Sequence, residues 1–303
     1  MPYYFNPKYI SDQVLNLMQT HGLNWKKPWI EKVGGNLPVN AFTRKPYHGM
    51  NVFLLMGSWN SHGRYWATKK QWEKLGIEVP DDQKKKGTAL LFFKRRLVTK
   101  EEDGEQKQEV QNVITTFLVY SAHQVGWQEP EGPMQKLYDT QGSALVQGIV
   151  SSLMVDVRHG GNRAYYSPMG DYVQMPDPDQ FKDAVGYDAT LLHEVGHWTG
   201  HEKRGLRQVP WAWFGTPDYA REELVAELIS VFMTCTLGVE MQPRADHAAY
   251  LQSWMQAITE DKWEFYRATK KAEAATRWIL KQSGLEVEEI TDETEEVREV
   301  EAA

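Results

Sequence analysis

His193-Glu194-Val195-Gly196-His197 is the stretch on which the reading of this chain turns. Residues four apart on a helix project from one face, so the two imidazoles of an HExxH string can converge on one metal ion with the intervening Glu beside it. The flanking residues favour a helix: Tyr187 to Leu192 contains no proline, Asp188 is a candidate cap, and Gly200 offers a stop. Ala189, Gly196 and Gly200 leave room near the histidine face for a second element, whereas Leu191, Leu192, Val195 and Trp198 are positions to bury. A core helix with two incidental histidines has no need of a glutamate between them. The pattern is that of a metal-dependent hydrolase with Glu194 as general base.

A catalytic metal normally takes a third protein ligand and keeps a position for water. The extended metzincin pattern, HExxHxxGxxH, requires a histidine where Lys203 stands, and His201 comes two residues early. A later helix offers an alternative. Asp218 to Met233 has helical periodicity, buries Leu224, Leu228, Val231 and Phe232, and carries Glu222, Glu223 and Glu227. Glu223 and Glu227 share a face with the small Ala226 and Ser230, which would let the two helices approach closely. This arrangement resembles thermolysin-like gluzincins, whose ligand glutamate lies four residues before a second acid. That resemblance implies Glu223 as the third ligand and Glu227 as the support of His193 or His197. Zn2+ is the expected ion, with another divalent metal such as Mn2+ as an alternative. For the developing oxyanion the candidates are His201, Tyr219 and Arg221.

The chain of 303 residues is 41% hydrophobic, which is ample for a core and fits a soluble globular protein of one large or two ordinary domains. Met1 to Tyr9 has neither a basic start nor an apolar run, so export by the usual signal is not expected, nor is a membrane partner. The single Cys235 lies in an apolar run and reads as a core thiol, in keeping with a cytoplasmic location. Charge is divided unevenly. Residues 1–100 hold 17 Lys and Arg against 6 Asp and Glu, whereas residues 101–303 hold 17 against 35. A basic N-terminal third points to an anionic partner.

Aromatic and basic residues alternate in that third. Trp25, Lys26, Lys27 and Trp29 form one such group, followed by Phe42, Arg44, Lys45, Tyr47 and Asn51, and then by Arg64, Trp66 and Lys69. Aromatic faces stack unpaired bases and neighbouring cations hold phosphates, so single-stranded nucleic acid is the natural ligand, with Lys86 extending a phosphate track. Around these residues the pattern gives helices over Pro7–His21 and Lys69–Leu75. It also gives strands over Ala89–Val98 and Val110–His123, joined by a charged loop from Thr99 to Glu109. The fold class is therefore α+β. Residues 1–128 read as an N-terminal α+β module binding single-stranded DNA, 129–133 as a linker and 134–303 as a zincin-like metallopeptidase domain.

In that second module Tyr138–Val150 reads as a helix, and short strands follow near Val155–Arg158, Ala164–Ser167 and Asp171–Met175. Tyr172 to Met175 is the candidate edge strand for pairing with an extended substrate. Ala245 to Lys281 reads as helical, with His247 a remote candidate for a further ligand. Glu286 to Glu301 reads as an acidic, solvated tail.

Trp25 to Trp29, Pro38-Val39-Asn40, Lys45 to Asn51, Tyr65 to Lys69, Lys86-Gly87 and Phe117 to Gly126 together resemble the N-terminal domain of ArdC-type antirestriction proteins. That domain also occurs at one end of plasmid TraC-type primases. Arg163 to Tyr166, Asp171-Tyr172, Met175-Pro176, His193 to His201 and Tyr219 to Leu228 are similar to the metallopeptidase-like domain of the same family. The resemblance implies a plasmid protein that binds single-stranded DNA, carries a zinc peptidase domain and protects incoming DNA from restriction. Its protein substrate, not identified by the sequence, would be sought in the host restriction machinery. A reading from another class is a DNA-binding protective protein whose zincin domain is a metal-stabilised scaffold or docking surface.

Overall fold

The computed structural model describes residues 7–22, 37–56, 63–102, 105–130, 142–207, 209, 216–239 and 248–285. Its first part runs α1 (Pro7–His21), β1 (Val39–Asn40), α2 (Gly49–Met56), β2 (Tyr65–Thr68), α3 (Lys69–Lys74), β3 (Thr88–Glu102) and β4 (Glu105–Ser121). These strands form one sheet in the order β1-β2-β4-β3, parallel between β1 and β2 and antiparallel elsewhere. Strands β3 and β4 pair from Thr88↔Val119 out to Glu102↔Glu105, so most of the expected loop Thr99–Glu109 is the outer end of a long hairpin. A two-stranded ladder pairs the backbone of alternate residues and leaves the rest to water, so a ribbon accepts charged residues that read locally as a loop.

Helix α2 corrects the sequence reading of its neighbourhood. All eight of its residues are buried. Asn51, expected at a DNA surface, instead exchanges hydrogen bonds with the backbone of Leu91, donating to its carbonyl at 3.0 Å and accepting from its N–H at 2.8 Å. Tyr47 is 3% exposed and its hydroxyl donates to the Trp66 carbonyl, while Trp66 is fully buried. These three belong to the core, where no base can reach them. Arg44, Lys69 and Lys86 are at the surface and Lys45 is half-buried. Lys69 pairs with Glu73, and Lys86 with Asp82. Trp25, Lys26, Lys27 and Trp29 lie outside the described residues, as do His247 and the acidic tail.

The second part runs α4 (Ser143–Ser152), β5 (Asp156–His159), β6 (Tyr165–Ser167), β7 (Tyr172–Met175), α5 (Ala184–Trp198), α6 (Pro217–Leu237), α7 (Ala248–Glu260) and α8 (Glu264–Gln282). Its sheet has the order β5-β7-β6. Tyr172–Met175 is thus the central strand, hydrogen-bonded on both sides, and cannot accept a further strand. Alternation buries Val173 and Met175 completely on the face toward the helices. The expected helix Ala245–Lys281 is two helices, broken at Asp261, whose carboxylate accepts the Trp263 N–H at 2.9 Å. Among the described residues no helix is long and apolar enough to cross a membrane. Cys235 is buried and forms no disulfide.

One apolar core runs through both parts. Ile10, Val14 and Met18 of α1 share it with Trp254 of α7 and Phe265 of α8. Phe53 of α2 sets its ring edge-on to Phe232 of α6 and Phe265, at centroid separations of 5.6 and 5.2 Å. Gly49 starts α2 in the left-handed conformation, φ +52°, which glycine adopts without strain, and it lies against the Glu273 carboxylate of α8.

Candidate metal centre

Helix α5 is capped by Asp183, whose Oδ1 accepts the Gly186 N–H at 2.8 Å. Asp188, the cap expected from sequence, lies a turn inside the helix, fully buried, and accepts a 2.5 Å hydrogen bond from Ser143 of α4. Starting earlier lets the helix dock against α4 before it presents its histidines. Helix α6 begins with Thr216 as cap and Pro217 at its first position, and ends at Gly238 with φ +81°. The two helices touch at their small residues: a Cβ built on Gly196 would lie 3.3 Å from the Ala226 carbonyl oxygen. Backbones this close bring short carboxylates on α6 within reach of imidazoles on α5.

At that crossing His193, His197 and Glu223 each present a donor atom, all within 4.8 Å of one another. His193 Nε2 lies 3.6 Å from one carboxylate oxygen of Glu223, and His197 Nε2 lies 3.4 Å from the other. The edge of a tetrahedron built on metal–nitrogen bonds of about 2.0–2.1 Å is about 3.4 Å, close to both imidazole–carboxylate separations. The imidazole rings stand 4.9 Å apart at 78° to one another. Each Nδ1 faces a carboxylate of α6, His193 toward Glu227 and His197 toward Glu222, both at 3.3 Å. The His197–Glu222 contact is a hydrogen bond of the kind that fixes an imidazole in the tautomer leaving Nε2 to a metal, and Glu227 sets a negative charge beside His193 Nδ1 without the geometry of a hydrogen bond.

Charge supports the same assignment. His193, Glu194, Glu223 and Glu227 are each no more than 5% exposed. Burial by itself would lower the His197 pKa, yet Glu223, Glu222 and Glu194 raise it to about 10. Burial likewise works against ionisation of Glu223, but the two imidazoles hold its carboxyl well below the usual range. Carboxylates gathered around the two imidazoles thus set a negative potential at the point the donor atoms face.

Two features escape the sequence reading. Glu222, set aside as a ligand, links His197 to Arg207, whose guanidinium grips the Glu222 carboxylate. It also donates to the Gly196 carbonyl at 2.9 Å and to Thr199 Oγ1 at 3.3 Å. Arg207 sits in an irregular segment with no periodicity to mark it. Arg204 lies 3.7 Å above the Trp198 ring and pairs with Asp171, which also accepts from Tyr166 at 2.9 Å, tying the segment after α5 to the β6–β7 hairpin. Of the oxyanion candidates, Tyr219 hydrogen-bonds Glu223, and burial together with that carboxylate pushes its pKa up. Arg221 is turned toward Asp218 and Glu264, while His201 caps the short turn Glu202–Arg204.

Residues 144–271 match a family described as zincin-like metallopeptidase, and residues 6–125 match the N-terminal domain of the anti-restriction factor ArdC. A protein of Sinorhizobium fredii, y4eC, is 30% identical over 89% of this chain and 90% of its own length. The chain belongs to the ArdC family. The crystal structure of the antirestriction protein ArdC from plasmid R388 in its metal-free form superposes with a TM-score of 0.75 at 27% identity, covering 93% of this chain and 98% of that one. Its Mn(II)-bound form superposes with a TM-score of 0.71. A DNA primase TraC of Escherichia coli is 31% identical over 93% of this chain, which spans 28% of that primase. This is an ArdC-like antirestriction protein with a zincin-like domain and a mixed α+β fold.

Proposed function

We propose that this ArdC relative binds single-stranded DNA through its basic N-terminal part and hydrolyses peptide bonds at a divalent metal held by His193, His197 and Glu223. The observation that carries the reading is the convergence of three donor atoms, each imidazole backed by a carboxylate, beside the buried Glu194. Zn2+ is the ion the donor set suits best, and Mn2+ is the alternative that the Mn(II)-bound relative supports. When bound, such an ion supplies Lewis acidity to a peptide carbonyl and acidifies water.

The chain's own side chains supply the rest. Glu194 takes the proton of the attacking water and returns it to the departing amine. Glu227 and Glu222 hold the two imidazoles in register, and Arg207 balances the charge of Glu222. Tyr219, its hydroxyl kept protonated beside Glu223, gives its one proton to that carboxylate and steadies it toward the two imidazoles. Strand β6, an edge of its sheet lying against α5, offers its outer backbone groups to an extended substrate in the role expected of β7.

The deciding experiment is Glu194→Ala in the full chain, with cleavage of an unfolded protein and protection of incoming DNA measured side by side. Loss of both, with metal and DNA binding unchanged, supports catalysis. Full protection without cleavage makes the zincin domain a scaffold.

A further inference from the structure

We infer that the turn Asn40–Arg44 together with the end of α3 forms a stacking subsite for an unpaired base, with Phe42 as the platform and Lys74 and Arg44 as its phosphate contacts. This rests on the reading that the chain binds single-stranded DNA; the sequence pattern already offers Phe42 and Arg44 to that activity, and the structure adds Lys74 and fixes which of the aromatic residues is free to stack.

Phe42 is 40% exposed, and a single exposed ring is ordinary on a protein surface. Its setting is not ordinary. The ring stands at the tip of a turn held on three sides. Asn40 Oδ1 accepts the N–H groups of Phe42 and Thr43 at 2.9 and 3.0 Å, the Arg44 N–H returns to the Asn40 carbonyl, and Arg44 takes the left-handed conformation at φ +64°. Asn40 Nδ2 then reaches Gln71 of α3 at 3.1 Å, and Gln71 closes a capping box with Thr68. Turn and helix are thereby fixed to each other, and Lys74 Nζ lies 5.7 Å from the centre of the Phe42 ring. The exposed Leu75 follows it at the helix end.

At the end of the same turn the exposed Arg44 lies over two half-buried rings, 5.5 Å from the centre of Tyr65 and 5.4 Å from that of Trp127. Trp127 rests in turn on the buried Trp72 at 5.6 Å. An exposed ring on a fixed turn, with Lys74 over one face and Arg44 two residues further along the turn, in the part of the chain that carries the excess of Lys and Arg, suits a base stacked on the open face and the phosphates beside it. Because the parts are already fixed, little ordering opposes binding.

Fluorescence anisotropy of a labelled oligothymidylate with the full chain, across a salt series, tests this. Phe42→Ala is expected to weaken binding about 5- to 100-fold with the salt slope unchanged, since only stacking is lost. Phe42→Trp should retain affinity and Phe42→Leu should not. Lys74→Ala should lower the salt slope by about 0.7, the share of one phosphate on a single strand, and Lys281→Ala in α8 should leave both quantities alone. Wild-type affinity in Phe42→Ala, or equal binding by Phe42→Leu and Phe42→Trp, would overturn the subsite while leaving single-strand binding intact. A wild-type chain that binds no single strand would overturn the underlying reading itself.

Discussion

Gly196 faces Ala226 with no room for a side chain: a Cβ would meet the Ala226 carbonyl oxygen at 3.3 Å and its Cα at 3.4 Å. Backbone atoms cannot step aside as a flexible side chain does, so Gly196→Ala must push α5 and α6 apart by a few tenths of an ångström. Gly196→Val should cost about 1–3 kcal/mol of stability through overpacking. Because Glu223 crosses this same contact to reach both imidazoles, metal affinity should fall alongside. Thermal denaturation with and without added Zn2+ measures both, and the stabilisation given by the metal should shrink more in Val than in Ala.

Glu227→Gln keeps the size of the side chain and removes the charge facing His193 Nδ1. A 10- to 100-fold loss of metal affinity is expected, with the fold intact, as is usual when the partner of a ligating imidazole is neutralised. Calorimetric titration with Zn2+ or Mn2+ into the full chain provides the measurement.

Arg207→Met leaves the half-buried Glu222 with His197 alone and removes the donor to the Gly196 carbonyl. Breaking a fully buried ion pair from one side costs about 3–5 kcal/mol; with Glu222 partly exposed and still paired to His197 the cost is smaller, and the variant should melt below the parent. Adding Glu222→Gln removes the uncompensated charge and should recover part of the loss. A chemical-denaturation cycle over the two single variants and the double variant reads the coupling.

Asn51→Ala distinguishes a core role from a DNA role. It leaves the N–H and C=O of Leu91 unpaired, at about 1–3 kcal/mol for each buried group. Single-strand affinity per folded molecule should nevertheless be unchanged. Denaturation and anisotropy on the same preparation separate the two effects.

His48 gives the protein an acid-side weakness. Burial first, and then the neighbouring Arg277, lower its pKa from 6.5 to about 4. The unfolded chain therefore binds a proton between pH 6.5 and pH 4 that the folded chain refuses, and stability falls as pH drops through that window. Excluding that proton from the folded state costs on the order of 3 kcal/mol once the pH is below the window. His48→Gln should flatten the dependence of melting temperature on pH in that window.

The helix pair bearing HExxH and the glutamates is legible because its periodicities are long and its ligand types rare. What escapes the sequence is decided by partners distant in the chain. Asp188 has the chemistry of a cap, but Ser143 of α4 claims it for the interior. Tyr172–Met175 reads equally well as an edge or a central strand, since only the pairing of β5 and β6 on its two sides decides. Tyr47, Asn51 and Trp66 look like a nucleic-acid surface because polar aromatic and amide groups serve core hydrogen bonds as readily as base contacts. Arg207 is invisible for a simpler reason: its significance lies in the carboxylate fifteen residues later.

Phe53, wedged between Phe232 and Phe265, bears on how such a chain is inherited. A recombination joint placed near the middle would marry a Phe53 from one lineage to helices shaped by another, and the hybrid would have to refit three rings at once. In the TraC primase of Escherichia coli, 93% of this chain has its counterpart within a much longer protein, so both partners of this ring cluster are kept together there.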